Sequence, residues 1–402
     1  MESCGFSFDI SARLKGAAGR SGLITTPHGS IRTPAFIPVG TAASVKAVLP
    51  EALAALGAQA VLANAYHLYL RPGADVIDNA GGLGKYMNWP GPTLTDSGGF
   101  QVLSLGAGFK KVLAMDTATT LAQDVLAPSG NRLAKVDDDG VTFKSHLDGS
   151  SHRFTPEISM AVQHQLGADI IFAFDECTTL VNTRQYQEKA LERTRRWAER
   201  CMVAHKKLTT ERVGKPYQAL FGVVQGAQYQ DLRRQAAGDL AELGFDGFGI
   251  GGALEKKHLA TIVGWVTETL PEAKPRHLLG ISEVDDLFAA VAAGADTFDC
   301  VAPSRAARHG AIYTGNGRYN VTRAGYKHDY SALEDGCGCY TCINYSRAYV
   351  HHLLRAGEVT GLTLATIHNE YFVVNLVNAM RDAIEHGRFF QFEDQFLTRY
   401  HS

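Results

Sequence analysis

The stretch "DIIFAFDEC" (169–177) is a run of five apolar residues closed by two carboxylates. A strand with one solvated face alternates polar and apolar positions, and this run does not. It is apolar throughout, as in a parallel strand buried on both faces, and its acids come at the C-terminal end. Seven other stretches share the build: "AFIPVG" (35–40), "AVLANA" (60–65), "TLTDSG" (93–98), "ALFGVVQ" (219–225), "GFGIGG" (247–252), "HLLGIS" (277–282) and "DTFDCV" (296–301). Helical patterns lie between them. Before the fifth run, Tyr186, Ala190, Thr194, Trp197 and Cys201 recur at helical spacing, opposite Glu188, Glu192, Arg195 and Arg196. "SEVDDLFAAVAAGA" (282–295) reads as a capped helix closed near glycine.

Eight alternating units predict an α/β fold, the (β/α)8 TIM barrel. A doubly wound sheet is the alternative, although "PVGTAASVK" (38–46) lacks the phosphate-binding glycine turn expected after its first strand. The barrel is expected over residues 1–304, with an insertion at about 105–155. Within the insertion, "DDDGVTFKSHLDGSSHRF" (137–154) predicts a β-hairpin. Residues 305–402 leave the barrel pattern and, with three cysteines in "CGCYTC" (337–342), are expected to form a zinc-binding subdomain and C-terminal helices packing on the barrel.

The chain has 402 residues, 45% hydrophobic and 20% charged, with a formal net charge of -2. Such a balance excludes binding nucleic acid by global charge and requires a local patch. One candidate follows the eighth run. Between Asp299 and Asp329 no acid occurs, while Arg305, Arg308, Arg318, Arg323 and Lys327 interleave with Tyr313, Tyr319 and Tyr326. The N-terminus has no signal-like apolar segment and no 18 apolar residues run together, so a soluble, cytoplasmic chain with no membrane span is expected. Seven cysteines, three clustered and four scattered, do not form a disulfide framework.

Catalytic groups of a barrel sit at the C-terminal ends of its strands. Those ends carry Asp96, Asp175 with Glu176, Gln225, Gly251 with Gly252, and Asp299. A single Asp at such a position commonly caps a loop; several converging polar groups make a site. Carboxylates accept from ring N–H and exocyclic amine, while an amide and a backbone N–H donate to a carbonyl, a pattern that fits guanine. Phe100 would supply a stacking face. With no histidine cluster at these ends, two aspartates point to glycosidic chemistry, one attacking the anomeric carbon and one handling protons. Arg305 and Arg308 follow directly on Asp299, where a backbone phosphate would lie.

"CGCYTC" (337–342) places Cys337, Cys339 and Cys342 together, with His368 further on. Three thiolates and an imidazole make a closed tetrahedral shell, the composition of one structural Zn2+. A redox reading prefers an isolated Cys-x-x-Cys and leaves Cys337 and His368 unused. Cys300 reads as a small buried hydrophobe, and His351 with His352 as a helix surface.

Over nearly its whole length the chain resembles the queuine/archaeosine-type tRNA-ribosyltransferases, in particular the bacterial tRNA-guanine transglycosylases. The resemblance is carried by "NAYHLYLRPG", "LTDSGGFQVLSL", "GVTFKSHLDG", "FAFDEC", "GVVQG", "GFDGFGIGG", "DTFDCVAPSR" and the cysteine cluster with "SRAYVHHLLRAGE". It implies exchange of the wobble guanine (position 34) of a tRNA with a GUN anticodon for a 7-deazaguanine, preQ1 or queuine, in queuosine modification. By match, Asp299 would be the nucleophile of a covalent ribosyl intermediate and Asp96 the general acid/base. Asp96, Ser97, Gly98, Gly99, Phe100, Asp175, Gln225 and Gly252 would bind the base. Gly280, Ile281, Ser282, Glu283, Val284, Asp285 and Asp286, with Ser304, Arg305, Ala306, Ala307 and Arg308, would contact RNA. Cys337, Cys339, Cys342 and His368 match the zinc ligands, and a homodimer is implied. Departures are "ALEKK" after Gly252, Phe100 where a tyrosine is frequent, and Leu279 where a methionine is common. The ALEKK segment leaves the incoming base open.

Overall fold

All eight apolar runs contain strands, with ends shifted by up to four residues. The computed structural model describes residues 5–102, 134–252 and 256–402. Three strands precede the barrel: β1 (Ser7–Arg13), β2 (Arg20–Thr26) and β3 (Gly29–Thr33). The barrel strands begin with β4 (Ala35–Pro38), β5 (Val61–Ala63) and β6 (Thr93–Thr95). After an inserted sheet of β7 (Ala134–Val136), β8 (Val141–Lys144) and β9 (Ser151–Phe154), they resume as β10 (Ile170–Phe172), β11 (Ala219–Val224), β12 (Gly247–Ile250), β13 (Arg276–Leu278) and β14 (Thr297–Cys300). A last ribbon is β15 (Ala311–Thr314) with β16 (Gly317–Asn320).

The barrel strands run β4-β14-β13-β12-β11-β10-β6-β5, each pair parallel. A parallel bridge from Val39 to Leu62, with Gly40 N–H donating to Leu62 O at 2.7 Å, closes the ring. Burial on both faces produces two apolar layers. Ile37, Leu62, Leu94, Phe172, Phe221 and Val223 fill the interior. Outside, Leu191, Trp197, Leu232, Ile262, Val291 and Val377 of the helices cover the strands.

The antiparallel sheet β1-β2-β3 has no counterpart in the sequence reading. Its Ile24 and Ile31 join the interior cluster, and a single residue, Pro34, separates β3 from β4, so it plugs the N-terminal end of the barrel. Arg20 clamps it there with a bidentate, buried pair to Asp296 (2.8 and 2.7 Å) at the foot of β14. The opposite, C-terminal mouth stays accessible for a site.

Other expectations are modified. The hairpin is a three-stranded antiparallel sheet, because β7 adds to β8 and β9. The part of the insertion at 103–133 lies outside the described residues. In the helix Arg184–Glu211, Gln187 and not Tyr186 belongs to the buried stripe; Tyr186 is 39% exposed. The reason is polar: Gln187 reaches inward to Thr178 Oγ1 and the Thr179 carbonyl. The helix Val284–Ala292 starts after Glu283 with no side-chain cap. His351 is buried, bonded at 2.8 Å to the Val321 carbonyl, so only His352 is on the surface. Cys300 is half-buried, and its sulfur accepts from Ala302 N–H.

Beyond β14 a small second core forms from Ala307, Ile312, Val321, Leu333, Val350, Leu353, Leu364 and Ala365. The helix Val359–Glu385 links it to the barrel: Ile367, Val373 and Val377 belong to the main cluster, while Leu364 and Ala365 belong to the smaller one. A division at 304/305 falls inside the helix Ala302–Arg308. No described helix is long and apolar enough to cross a membrane.

Candidate active site

Apart from Glu176, the predicted strand-end residues lie at the C-terminal mouth, because all eight strands run the same way. Asp96 follows β6. Its Oδ1 accepts from Ala65 N–H (2.8 Å) and Gly98 N–H (3.3 Å), and its Oδ2 from Gln101 Nε2 (2.7 Å) and the Asn64 side chain. Burial pushes its pKa up to about 6, against those donors and with the Asp299 charge adding to the rise. Asp175, beyond β10, accepts from Ser97 Oγ (3.2 Å) and from Gln225 Nε2 (2.6 Å). Burial again raises it to about 6, and Asp96 contributes. Each carboxylate therefore feels the next.

Asp299, on β14, is anchored differently. Gly280 N–H donates to its Oδ1 at 3.1 Å, and His277 Nε2 lies 3.1 Å from the same oxygen. His277 Nδ1 faces Thr297 Oγ1 at 2.9 Å, so the imidazole is held at both ends in a fully buried place. Oδ2 of Asp299 takes no hydrogen bond from a described residue. One carboxylate oxygen is oriented and the other is free to act.

Glycines allow the close approach. A Cβ on Gly99 would come within 2.6 Å of the Asp175 carbonyl, and one on Gly98 (φ +80) within 2.8 Å of the Phe154 ring. The inserted sheet thus supports the Asp96 loop: Phe154 of β9 packs under Gly98, and Ser159 Oγ donates to Ser97 O at 2.7 Å. Gly252 (φ +82) lies against Gln225, whose Oε1 would be 2.4 Å from an added Cβ. Phe100 is 37% exposed at the start of a helical turn, available to stack. Residues 253–255, the start of the ALEKK segment, lie outside the described residues.

Not all of the expected set can touch a ligand. Glu176 is buried behind the mouth, bonded to Tyr186 Oη (2.6 Å) and paired with Arg193. Of the residues expected at RNA, Ile281, Ser282, Val284, Ser304 and Ala307 are buried and shape the wall from behind. Gly280, Asp285 and partly exposed Arg305, Ala306 and Arg308 reach the surface. The acids there are partnered in part: Glu283 pairs with Arg318 (2.9 Å), and Asp285 Oδ1 lies 2.7 Å from His401 Nε2. Asn64, Gln101 and His277 escaped the sequence reading as site residues, although each stands inside a run singled out above. Only the partner it meets across the mouth gives it a role.

The thiols of Cys337, Cys339 and Cys342 lie 3.7, 3.5 and 3.3 Å from His368 Nδ1, and all four ligand atoms fall within 4.8 Å of one another. A tetrahedron with metal–sulfur and metal–nitrogen bonds of about 2.3 and 2.05 Å has an S···N edge of about 3.6 Å, so the set fits a metal ion. His368 Nε2 sits 2.7 Å from the Tyr313 carbonyl, which requires the proton there and leaves Nδ1 as a ligand. The site is apart from the aspartates.

With this geometry in view, the sequence comparisons decide the family. The family model described as queuine tRNA-ribosyltransferase matches residues 15–402. The chain belongs to the queuine tRNA-ribosyltransferase family. Three relatives, each named queuine tRNA-ribosyltransferase, illustrate the similarity. That of Pelotomaculum thermopropionicum is 45% identical over 397 residues, 98% of both chains. That of Thermoanaerobacter pseudethanolicus is 46% identical over 384 residues, 95% of this chain and 94% of the relative. That of Moorella thermoacetica is 44% identical over 399 residues, 98% of both. A queuine tRNA-ribosyltransferase is a pentosyltransferase, the enzyme class that the resemblance implies.

The raised Asp175 pKa has a consequence for stability. The folded value lies above the unfolded one, so the folded state binds more protons between about pH 4 and 6. Stability from this group is full below pH 4 and lost as pH rises through 6. Asp175→Asn is therefore expected to stabilise the fold at pH 8 by roughly 2–3 kcal/mol, with the gain vanishing near pH 4. Urea unfolding at the two pH values measures it; a gain of equal size at both would contradict the assignment.

Proposed function

We propose that the protein is a base-exchange enzyme that replaces the wobble guanine of tRNA by a 7-deazaguanine through a covalent ribosyl ester of Asp299. The observation that carries the reading is Asp299 itself, with one oxygen oriented by His277 and Gly280 and the other free, beside two carboxylates held near pH 6. The anticodon loop docks on Arg305 and Arg308, and the guanosine turns out of its stack into the mouth. Asp175 accepts from the base N–H and amine, Gln225 and the Gly252 N–H donate to its carbonyl, and Phe100 stacks on it. Asp299 Oδ2 attacks C1′, a C–O bond forms, and the bond from C1′ to N9 breaks through an oxocarbenium-like transition state. Guanine leaves with a proton supplied by Asp96. The incoming base then gives its N9 proton to Asp96, its nitrogen attacks C1′, and the Asp299 carboxylate is released. An ester stores the glycosyl bond, so no redox step enters.

Incorporation of labelled guanine into tRNA tests the reaction, and offering preQ1, preQ0 and queuine in turn, then weighing the nucleosides, identifies the base. A charge-assisted hydrogen bond contributes about 1.5–3 kcal/mol, so hypoxanthine, lacking the amine that Asp175 accepts, should bind about ten- to a hundredfold more weakly than guanine. The pH profile gives another check. Burial holds Asp175 and Asp96 at about 6, so kcat/KM for guanine should fall on the acid side from about pH 6. A rate that stays flat down to pH 4.5 would contradict it.

The thiol cluster with His368 is read as one structural Zn2+ that braces the surface where tRNA lies. The working form is a cytoplasmic homodimer. Tyr340, Ile343 and Tyr349 are 56, 69 and 42% exposed, and Tyr345 stacks on Tyr349 at 5.5 Å. An exposed apolar face of this kind supports contact with a second copy.

A further inference from the structure

Arg233 is wholly buried on the helix Gln230–Ala241, directly behind the ends of β11 and β12. Its partners are carbonyls. Nε donates to Ala227 O at 2.8 Å, and Nη1 to Val224 O at 3.0 Å and Gly251 O at 2.8 Å. Nη2 has no partner among the described residues and would lie 3.4 Å from a Cβ on Gly252. Gln225 Oε1, against the same point of Gly252, is likewise buried without a partner. A cation held only by carbonyls in the interior is costly, and burial pulls its pKa down to about 9. A helix needs no such group to pack on a strand; leucine would serve.

Of the two carbonyls that share Nη1, one belongs to the peptide unit that carries a base-recognising N–H and the other to the peptide that leads into Gln225. The Gly251 oxygen is one end of the peptide whose other end is the Gly252 N–H. The Val224 oxygen is one end of the peptide that begins Gln225. In a trans peptide C=O and N–H point in opposite directions, so a clamp on the oxygen from behind aims the N–H away from the clamp. A cation on that oxygen also polarises the amide and strengthens its N–H as a donor. Gly252 N–H gives no hydrogen bond to another described residue.

We propose that Arg233 is a positioning residue for base recognition: through the Gly251 carbonyl it aims and strengthens the Gly252 N–H that meets the carbonyl oxygen of the base, and through the Val224 carbonyl it fixes the backbone from which the Gln225 side chain reaches. The inference rests on the reading of Asp175, Gln225 and Gly252 as a guanine pocket. Lysine keeps the charge but not the planar guanidinium, whose Nε bond to Ala227 O fixes the direction in which Nη1 meets both carbonyls.

The test uses the full-length protein with Arg233→Met and Arg233→Lys. Steady-state exchange gives kcat and KM for guanine and for tRNA, and inhibition by 2-aminopurine gives the affinity of a base with the amine but no carbonyl oxygen. Arg233→Met should raise the guanine KM about thirtyfold and Arg233→Lys about tenfold. The tRNA KM and the 2-aminopurine affinity should both stay within about threefold of the unmodified protein. If the Met variant does not fold, the Lys variant decides. An unchanged guanine KM overturns the inference, as does an equal weakening toward guanine and 2-aminopurine, which marks a merely structural role. Failure of the unmodified protein to exchange guanine sinks the guanine-pocket reading and the inference with it. Normal exchange with an unaffected Lys variant removes only the role of Arg233.

Discussion

Asp299→Asn is expected to lower guanine exchange by at least about 10⁴-fold while leaving the fold intact. The amide oxygen of Asn can keep both contacts that Asp299 Oδ1 makes, to Gly280 N–H and His277 Nε2. What the substitution removes is the free, anionic Oδ2, and with it the bond to C1′. The unfolding midpoint should therefore move little. A second readout separates this mechanism from direct displacement. The unmodified protein, mixed with tRNA and quenched in denaturant, should leave a protein–RNA adduct on a denaturing gel, and Asp299→Asn should leave none. Exchange at the normal rate by the Asn variant would end the covalent mechanism.

Loss of the metal ion proposed at the thiol cluster is expected to have the largest structural effect. Apparent binding free energies of structural zinc in small modules run to about 10–16 kcal/mol, and the core beside the thiols rests on only a handful of buried side chains from Ala307 to Ala365. Cys339→Ala removes a buried ligand whose sulfur also accepts from Cys342 N–H at 3.3 Å. The variant should hold less than about a tenth of a metal ion per chain, and trypsin should cut first between Arg318 and Arg355. Because the helix Ala302–Arg308 packs its Ala307 into the same core, tRNA affinity should fall at least about tenfold. The barrel should stay folded, since its own cluster does not depend on the thiols. Full metal content in Cys339→Ala would rule out the four-ligand shell.

The barrel was legible because strands buried on both faces must be apolar throughout, a pattern that local sequence states directly. The aspartates were legible for a related reason: an acid directly ending such a run is carried to the mouth by the direction of its strand. The cysteine cluster and His368 were legible from chemistry, since few structures need three thiols and an imidazole. The plug formed by β1–β3 was missed because none of its strands is a continuous apolar run, β1 and β3 being largely exposed, and their place under the barrel depends on Arg20 meeting Asp296 far along the chain.

Sequence by itself determined the class of fold, the eight strands and the residues at their ends, because strand burial and strand direction are local properties. Only the tertiary structure decided how those ends work. It set which oxygen of Asp299 is held and which is free, raised Asp96 and Asp175 to about 6, turned Glu176 away to Arg193, and placed Arg233 behind the Gly251–Gly252 peptide. Each of these depends on desolvation and on hydrogen bonds between residues distant in sequence, and such contacts exist only once the ring of strands has closed.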